Sequence, residues 1–154
     1  MRKGLLLIIT LISTCVLFSG CIKKTETLTI NPYLTATING VDTFTAATVV
    51  PSTADTQVID TATALIITAN VSDQFSFTDK IILEVTDYKG AAGVFSIIKS
   101  QAGGAYVHEG VTDYAANGIV AITQITSTSI IGYFSFTTVG GTSITNGTFS
   151  VGKP

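Results

Sequence analysis

From Tyr33 to the C-terminus the chain alternates. Apolar and small polar residues exchange places at every second position, and the residues involved are mostly Thr, Val, Ile, Phe and Tyr. Leu34, Ala36 and Ile38 interleave with Thr35 and Thr37, and Ile81, Leu83 and Val85 interleave with Ile82, Glu84 and Thr86. A period of two sends successive side chains to opposite faces of an extended strand, and β-branched and aromatic side chains suit the pleated surface that results. Thr alone occurs 26 times. After the first twenty residues no stretch carries the 3.6 period of a helix with one buried face, which excludes a helical bundle and a coiled coil.

Turn residues divide this alternation every eight to twelve positions. Asn39-Gly40 is the strongest hairpin signal, because both residues tolerate positive φ. Pro51, Ser52 and Asp55 end a strand, and Pro51–Thr61 has room for one turn of helix. Thr63–Val71 is almost wholly apolar or Thr and reads as a central strand covered on both faces. Phe75 and Phe77 share one face of a short strand. Tyr88-Lys89-Gly90 turns the chain into a strand over Val94–Lys99. Gly103-Gly104 reads as a turn before Ala105–His108, and Asn117-Gly118 as the opening of Ile119–Ile125. Ser129–Thr138 and Ser143–Val151 are joined through Gly140-Gly141. In the last strand Ile144 has the opposite parity to Phe149 and Val151. If all three face the core, an extra residue is needed, and Asn146-Gly147 is the natural place for that bulge. The expectation is all-β: one antiparallel β-sandwich or partly closed barrel of about eight to ten strands over residues 33–152.

The first twenty residues are of another kind. Arg2 and Lys3 precede a fourteen-residue apolar run, Leu5–Phe18, shorter than the ~20 residues a membrane-spanning helix needs. Small residues Ser19 and Gly20 and then Cys21 follow, the layout of a secretory signal peptide. Leu17-Phe18-Ser19-Gly20-Cys21 resembles the lipobox of bacterial lipoproteins, with Phe18 standing where that pattern takes an aliphatic residue. The resemblance implies cleavage between Gly20 and Cys21, a diacylglycerol thioether on the Cys21 sulfur and a palmitate-type acyl group on its new amino group. Each buried CH₂ contributes roughly 0.8 kcal/mol, so two or three chains on one cysteine anchor a protein without a spanning helix. Residues 21–32 then form the acylated cysteine and a tether, and membrane lipid is the first expected partner. Cys15 leaves with the leader, so the remaining chain has no free thiol and no disulfide. About 120 residues can be stabilised by their core alone, since a chain of this size buries roughly two thirds of its unfolded surface.

Charge narrows the function. From Cys21 onward six lysines face ten carboxylates, a net charge of −4, and no Lys or Arg stands between Asn31 and Asp79. Phosphate backbones require clustered cations, so nucleic acid is excluded as a partner. No calcium-loop pattern and no phosphate-cradling glycine loop is present. No cofactor and no metal site is expected.

The segments Thr35-Ala36-Thr37-Ile38-Asn39-Gly40 with Phe44 and Ala46, Ile131-Gly132-Tyr133-Phe134-Ser135-Phe136, and Ile144-Thr145-Asn146-Gly147-Thr148-Phe149-Ser150-Val151 resemble those of small uncharacterised lipoproteins of Bacteroidota. The stretch Gly118–Thr123 fits the same pattern. The motifs are turn and core residues spread over most of residues 33–152. The resemblance implies a β domain of unknown function in an envelope with an outer membrane, and it brings no catalytic residue. The expected location is the cell envelope, anchored by lipid in the outer membrane, with both the periplasmic and the outward face open.

Chemistry-bearing residues are few. His108 is the sole histidine; Glu109 and Asp113 are its neighbours in sequence, and a catalytic triad would have to be built on it. Asp42, Asp73 and Asp79 read as turn residues. Tyr133, Tyr106 and Tyr114 are the candidate ligand surface, since aromatic rings presented by strands stack on sugars or peptides. The chain is therefore expected to be a non-enzymatic binding or structural module, its partner a glycan or an envelope protein. The alternative is a small carboxylate-dependent hydrolase acting on envelope or extracellular glycans.

Overall fold

The computed structural model describes residues 31–46, 48–55, 63–71 and 79–154. The signal segment, Gly20, Cys21, most of the tether, and the Phe75 and Phe77 strand lie outside these residues. Among the described residues ten strands follow in chain order: β1 (Tyr33–Ile38), β2 (Asp42–Thr45), β3 (Thr48–Asp55), β4 (Thr63–Asn70), β5 (Lys80–Val85), β6 (Gly93–Ser96), β7 (Ala102–His108), β8 (Val111–Ile125), β9 (Ser129–Thr138) and β10 (Ser143–Gly152). Every pairing is antiparallel. The order is β2-β1-β10-β9-β8-β7-β5-β4-β3, with β6 paired to β8 beside this series. The sheet curls into a half-barrel, and β3, at its far end, approaches β1 and β10.

β8 makes the curl. Its residues 111–114 pair with β7 and its residues 115–125 pair with β9, with a register shift between Ala115 and Asn117. Asn117-Gly118 thus does not open a strand but forms the bend inside a fifteen-residue one. Gly118 takes φ 135°, and a side chain there would strike the Ser135 carbonyl and Phe136. A bulge that increases bend and twist is the means by which one strand serves two halves of a sheet.

Inward parity matches the alternation. Leu34, Ile67, Ile81, Leu83, Ile144 and Phe149 are among the fully buried side chains, and each contributes roughly 1.5–3 kcal/mol by leaving water. The bulge in β10 is present: the register with β9 shifts between Ile144 and Gly147, Asn146 takes φ 51°, and Ile144, Phe149 and Val151 all face the core. Rings sit over glycines of neighbouring strands. A Cβ at Gly132 would meet Phe149, and one at Gly147 would meet Phe134. Phe134 in turn packs against Phe136 and Phe149 at centroid distances of 6.2 and 6.4 Å.

Four further expectations need correction. Gly103-Gly104 lies inside β7, paired with Glu84 and Leu83, and Gly104 leaves room for the Phe136 ring, which a Cβ there would meet at 3.3 Å. β3 runs through Pro51, opposite Ile67, because an edge strand has one side free of ladder bonds; Pro51–Asp55 is strand, and residues 56–61 lie outside the described set. β4 is fully buried on the face of Leu65, Ile67 and Ala69, whereas on the other face Ala64 is buried and Ile66 and Thr68 are only half-buried. The strand expected over Val94–Lys99 stops at Ser96, where residues 97–100 turn back toward β7.

Three hairpins end side by side. The β1–β2 turn has Asn39 and Gly40 at φ 50° and 74°, and the β7–β8 turn has Glu109 and Gly110 at φ 50° and 79°. The β9–β10 turn is closed by the Gly141 amide donating to the Thr138 carbonyl at 3.1 Å. Side bonds link the three. Asn39 N–H donates to the Ser143 carbonyl, Ser143 N–H donates to Asn39 Oδ1, and Gly140 N–H donates to Asp113 Oδ1. This is the upper end of the half-barrel. Tyr33, the β8–β9 turn and Lys153, whose amide donates to Thr128 O, lie at the lower end.

Candidate functional site

Register places the chemistry at the upper end. On β7 the inward positions are Ala102, Gly104, Tyr106 and His108, the first three opposite Val85, Leu83 and Ile81 of β5. Lys80 pairs with Val107, so Asp79, one residue earlier, comes level with His108. Asp79 also closes the mouth of the β4–β5 connection, where its carbonyl accepts from Val71 N–H at 2.9 Å.

The Asp79 carboxylate holds two partners. The Tyr106 hydroxyl donates to Oδ2 at 3.0 Å, and His108 Nδ1 lies 2.9 Å from Oδ1. A carboxylate only accepts, so the proton is on Nδ1 and Nε2 is left as the second ring nitrogen. The Tyr106–Nδ1 separation of 3.5 Å is at the limit of a hydrogen bond, and both protons are already directed to Asp79. The Tyr106 and His108 rings stack, with centroids 5.9 Å apart and planes 16° from parallel. Burial first, then the hydrogen bond and charge of Asp79, then the charge of Asp42, push the Tyr106 phenol up to about 12. The phenol therefore stays protonated and serves as a fixed donor.

These groups line two adjoining hollows of about 400 and 410 Å³ that share Ile38, Asp42, Tyr106 and His108. Phe44 and Val71 form the apolar wall of one. Glu109, Val111 and Asp113 border the other. Among the described residues neither is lined by Lys or Arg. Among the described residues no three His, Cys, Asp or Glu side chains are placed to hold a metal ion.

The three tyrosines do not make one surface. Tyr106 is buried and offers its hydroxyl edge alone. Tyr133 is exposed on the outer face of β9, between Ala121 and Thr148. Tyr114 is exposed on β8 beside a separate groove of about 480 Å³, whose other residues include Ile82, Glu84 and Gly103. Glu109 and Asp113 do not pair with His108; Asp113 is engaged by Gly140 N–H. Asp42 begins β2 and faces the hollow, so it is more than a turn residue. Asp79, 29 positions from His108, is the partner that sequence separation conceals.

No family model, no curated protein and no solved structure matches the chain.

Proposed function

We propose that the chain is a lipid-anchored binding module of the cell envelope, held in the outer membrane through acylated Cys21, and that it takes its ligand at the upper end of the half-barrel. The observation that carries the binding site is the hollow itself. A buried phenol and an imidazole are fixed on one carboxylate, beside an apolar wall of Ile38, Phe44 and Val71. Polar groups already ordered by the protein lose little freedom when a ligand arrives, which is what a preformed site requires. The anchor rests on the basic flank, the apolar run and the Ser19-Gly20-Cys21 sequence. The likeness to small Bacteroidota lipoproteins supports the same address.

Mass spectrometry of the native protein tests the anchor: a lipidated Cys21 at the N-terminus is expected, and an unmodified cysteine overturns it. A photo-crosslinking residue at Thr43, in the hollow, tests the site against one at Tyr133 on the sheet face. Adducts formed in intact cells from position 43 and not from position 133 are expected. Equal labelling, or none at position 43, overturns the placement.

A second reading is favoured by one geometric fact. Asp79 holds His108 Nδ1–H, as in the base half of a hydrolytic triad, and Nε2 is the nitrogen that would take a proton from an attacking water or hydroxyl. Turnover of ester or glycoside substrates by the purified protein, lost in His108→Ala, would replace the binding module with a small hydrolase.

A further inference from the structure

The three hairpins of the upper end each present a valine to solvent. Val41 is 82% exposed, Val111 70% and Val139 76%. Valine suits a strand, and at these hairpin tips no described residue buries it. The tips are tied to one another by the Asn39, Ser143, Asp113 and Gly140 hydrogen bonds, so the valines stand on one braced rim. Exposed apolar side chains on adjoining, mutually tied tips give a partner apolar points of contact along one rim.

Among the described residues the charge lining the hollows of the rim is of one sign. Asp42, Asp79, Glu109 and Asp113 surround or line the hollows between the tips, and among the described residues no Lys or Arg lines them. Lys80 lies near this end but alternates with the inward Ile81, so it points to the outer face. The other described lysines with a clear place on the axis, Lys89 and Lys153, belong to the lower end, where the chain also enters at Tyr33. An anionic membrane would be repelled by these carboxylates, and inserting the valines would draw Glu109, beside the tip at Val111, toward a lipid interface.

We propose that this rim docks a cationic, apolar polypeptide segment, the valines covering its apolar residues and the four carboxylates facing its Lys or Arg side chains. The inference rests on the proposed binding site and names its partner. Opposite charge across the contact sets orientation and association rate, and the apolar tips supply the desolvated centre.

The test uses the full lipidated chain in detergent micelles. The probes are a twelve-residue peptide alternating Lys and Leu, its Glu-Leu counterpart, and vesicles of phosphatidylethanolamine and phosphatidylglycerol. The Lys-Leu peptide is expected to bind and the Glu-Leu peptide is not. Affinity should fall at least tenfold in Val41→Thr/Val111→Thr/Val139→Thr, and likewise in Asp42→Asn/Glu109→Gln. Both variants keep side-chain shape, and unchanged circular dichroism and melting certify the fold. Equal binding of the two peptides, indifference to both variants, or rim-dependent attachment to vesicles overturns the proposal. A glycan adduct from position 43 in cells would leave the hollow as a site while ending the polypeptide reading; no adduct there would end the site itself.

Discussion

Tyr88 and Tyr106 are equally buried, at 8% exposure each, and both join the core of the half-barrel. Tyr106 stands at the upper end with its hydroxyl on Asp79. Tyr88 lies beyond the lower end of β5, and its hydroxyl has no hydrogen-bond partner among the described residues. Burial raises both phenols above the usual value, but only at Tyr106 do carboxylates add to the effect. The same residue at the same burial is thus put to two uses. One end spends a tyrosine as filling, with its polar atom left over; the other builds a partnered polar group on the wall of a hollow. An unsatisfied buried hydroxyl costs ~1–3 kcal/mol, whereas one hydrogen-bonded inside the protein contributes a net ~1 kcal/mol or more.

The largest effect separates filling from chemistry. Tyr88→Ala removes a whole buried ring and should cost about 3–5 kcal/mol in urea unfolding, the range for aromatic-to-Ala changes in cores. Ligand capture at the upper end should be unaffected by that change wherever the protein remains folded. Loss of capture in a folded Tyr88→Ala protein would mean that the two ends are coupled. Next comes Asp79→Ala, which strips Tyr106 of its acceptor and frees His108. A cost of about 2–3 kcal/mol is expected from the orphaned buried hydroxyl and the lost hydrogen bond to His108. Unlike Tyr88→Ala, it should abolish crosslinking from position 43.

Tyr106→Phe is milder. It keeps the ring and removes one hydrogen bond to a carboxylate, so a loss of about 1–2 kcal/mol at neutral pH is expected. It also carries a pH signature. In the unfolded chain this phenol ionises near 10, whereas in the folded chain it ionises near 12. Between those values the unfolded state gives up its proton first, so the stability due to the neutral phenol is complete below pH 10 and falls as pH rises toward 12. Chemical denaturation at pH 9 and pH 11 should show that fall in the native sequence and a smaller one in Tyr106→Phe. An unchanged slope would mean that Tyr106 is not the group held neutral.

The fold was open to reading because alternation is local. Parity alone placed Leu34, Ile38, Ile81, Leu83 and Val85 inward, and the parity conflict between Ile144 and Phe149 located the β10 bulge. Glycine misled because it has two uses. At Asn39-Gly40 it serves a turn. At Gly104 and Gly118 it makes room for Phe136, a residue far away in sequence. The flanking Ala102 and Ala105 were the available hint, since turns usually carry Asn, Asp or Pro beside glycine. The site was half legible. Tyr106 and His108 share parity on β7, so their common face could be read. Asp79 could not, because its place opposite His108 depends on β5 lying next to β7, and strand order is set by the curl of the whole sheet rather than by any local pattern.

The smallest effect tests the contrast most directly. Tyr88→Phe deletes the unpartnered hydroxyl and keeps the ring, so the variant should be as stable as the native protein or more stable by up to ~1 kcal/mol. The opposite sign is expected for the same chemical change at Tyr106, and the comparison is free of differences in side-chain volume. Thermal melts at pH 7 on the two single variants and the double variant decide it. The sites lie at opposite ends and share no hydrogen-bond partner, so their effects should add to within ~0.5 kcal/mol. If Tyr88→Phe instead destabilises as much as Tyr106→Phe, the Tyr88 hydroxyl has a partner in solution, and the lower end holds a polar site of its own.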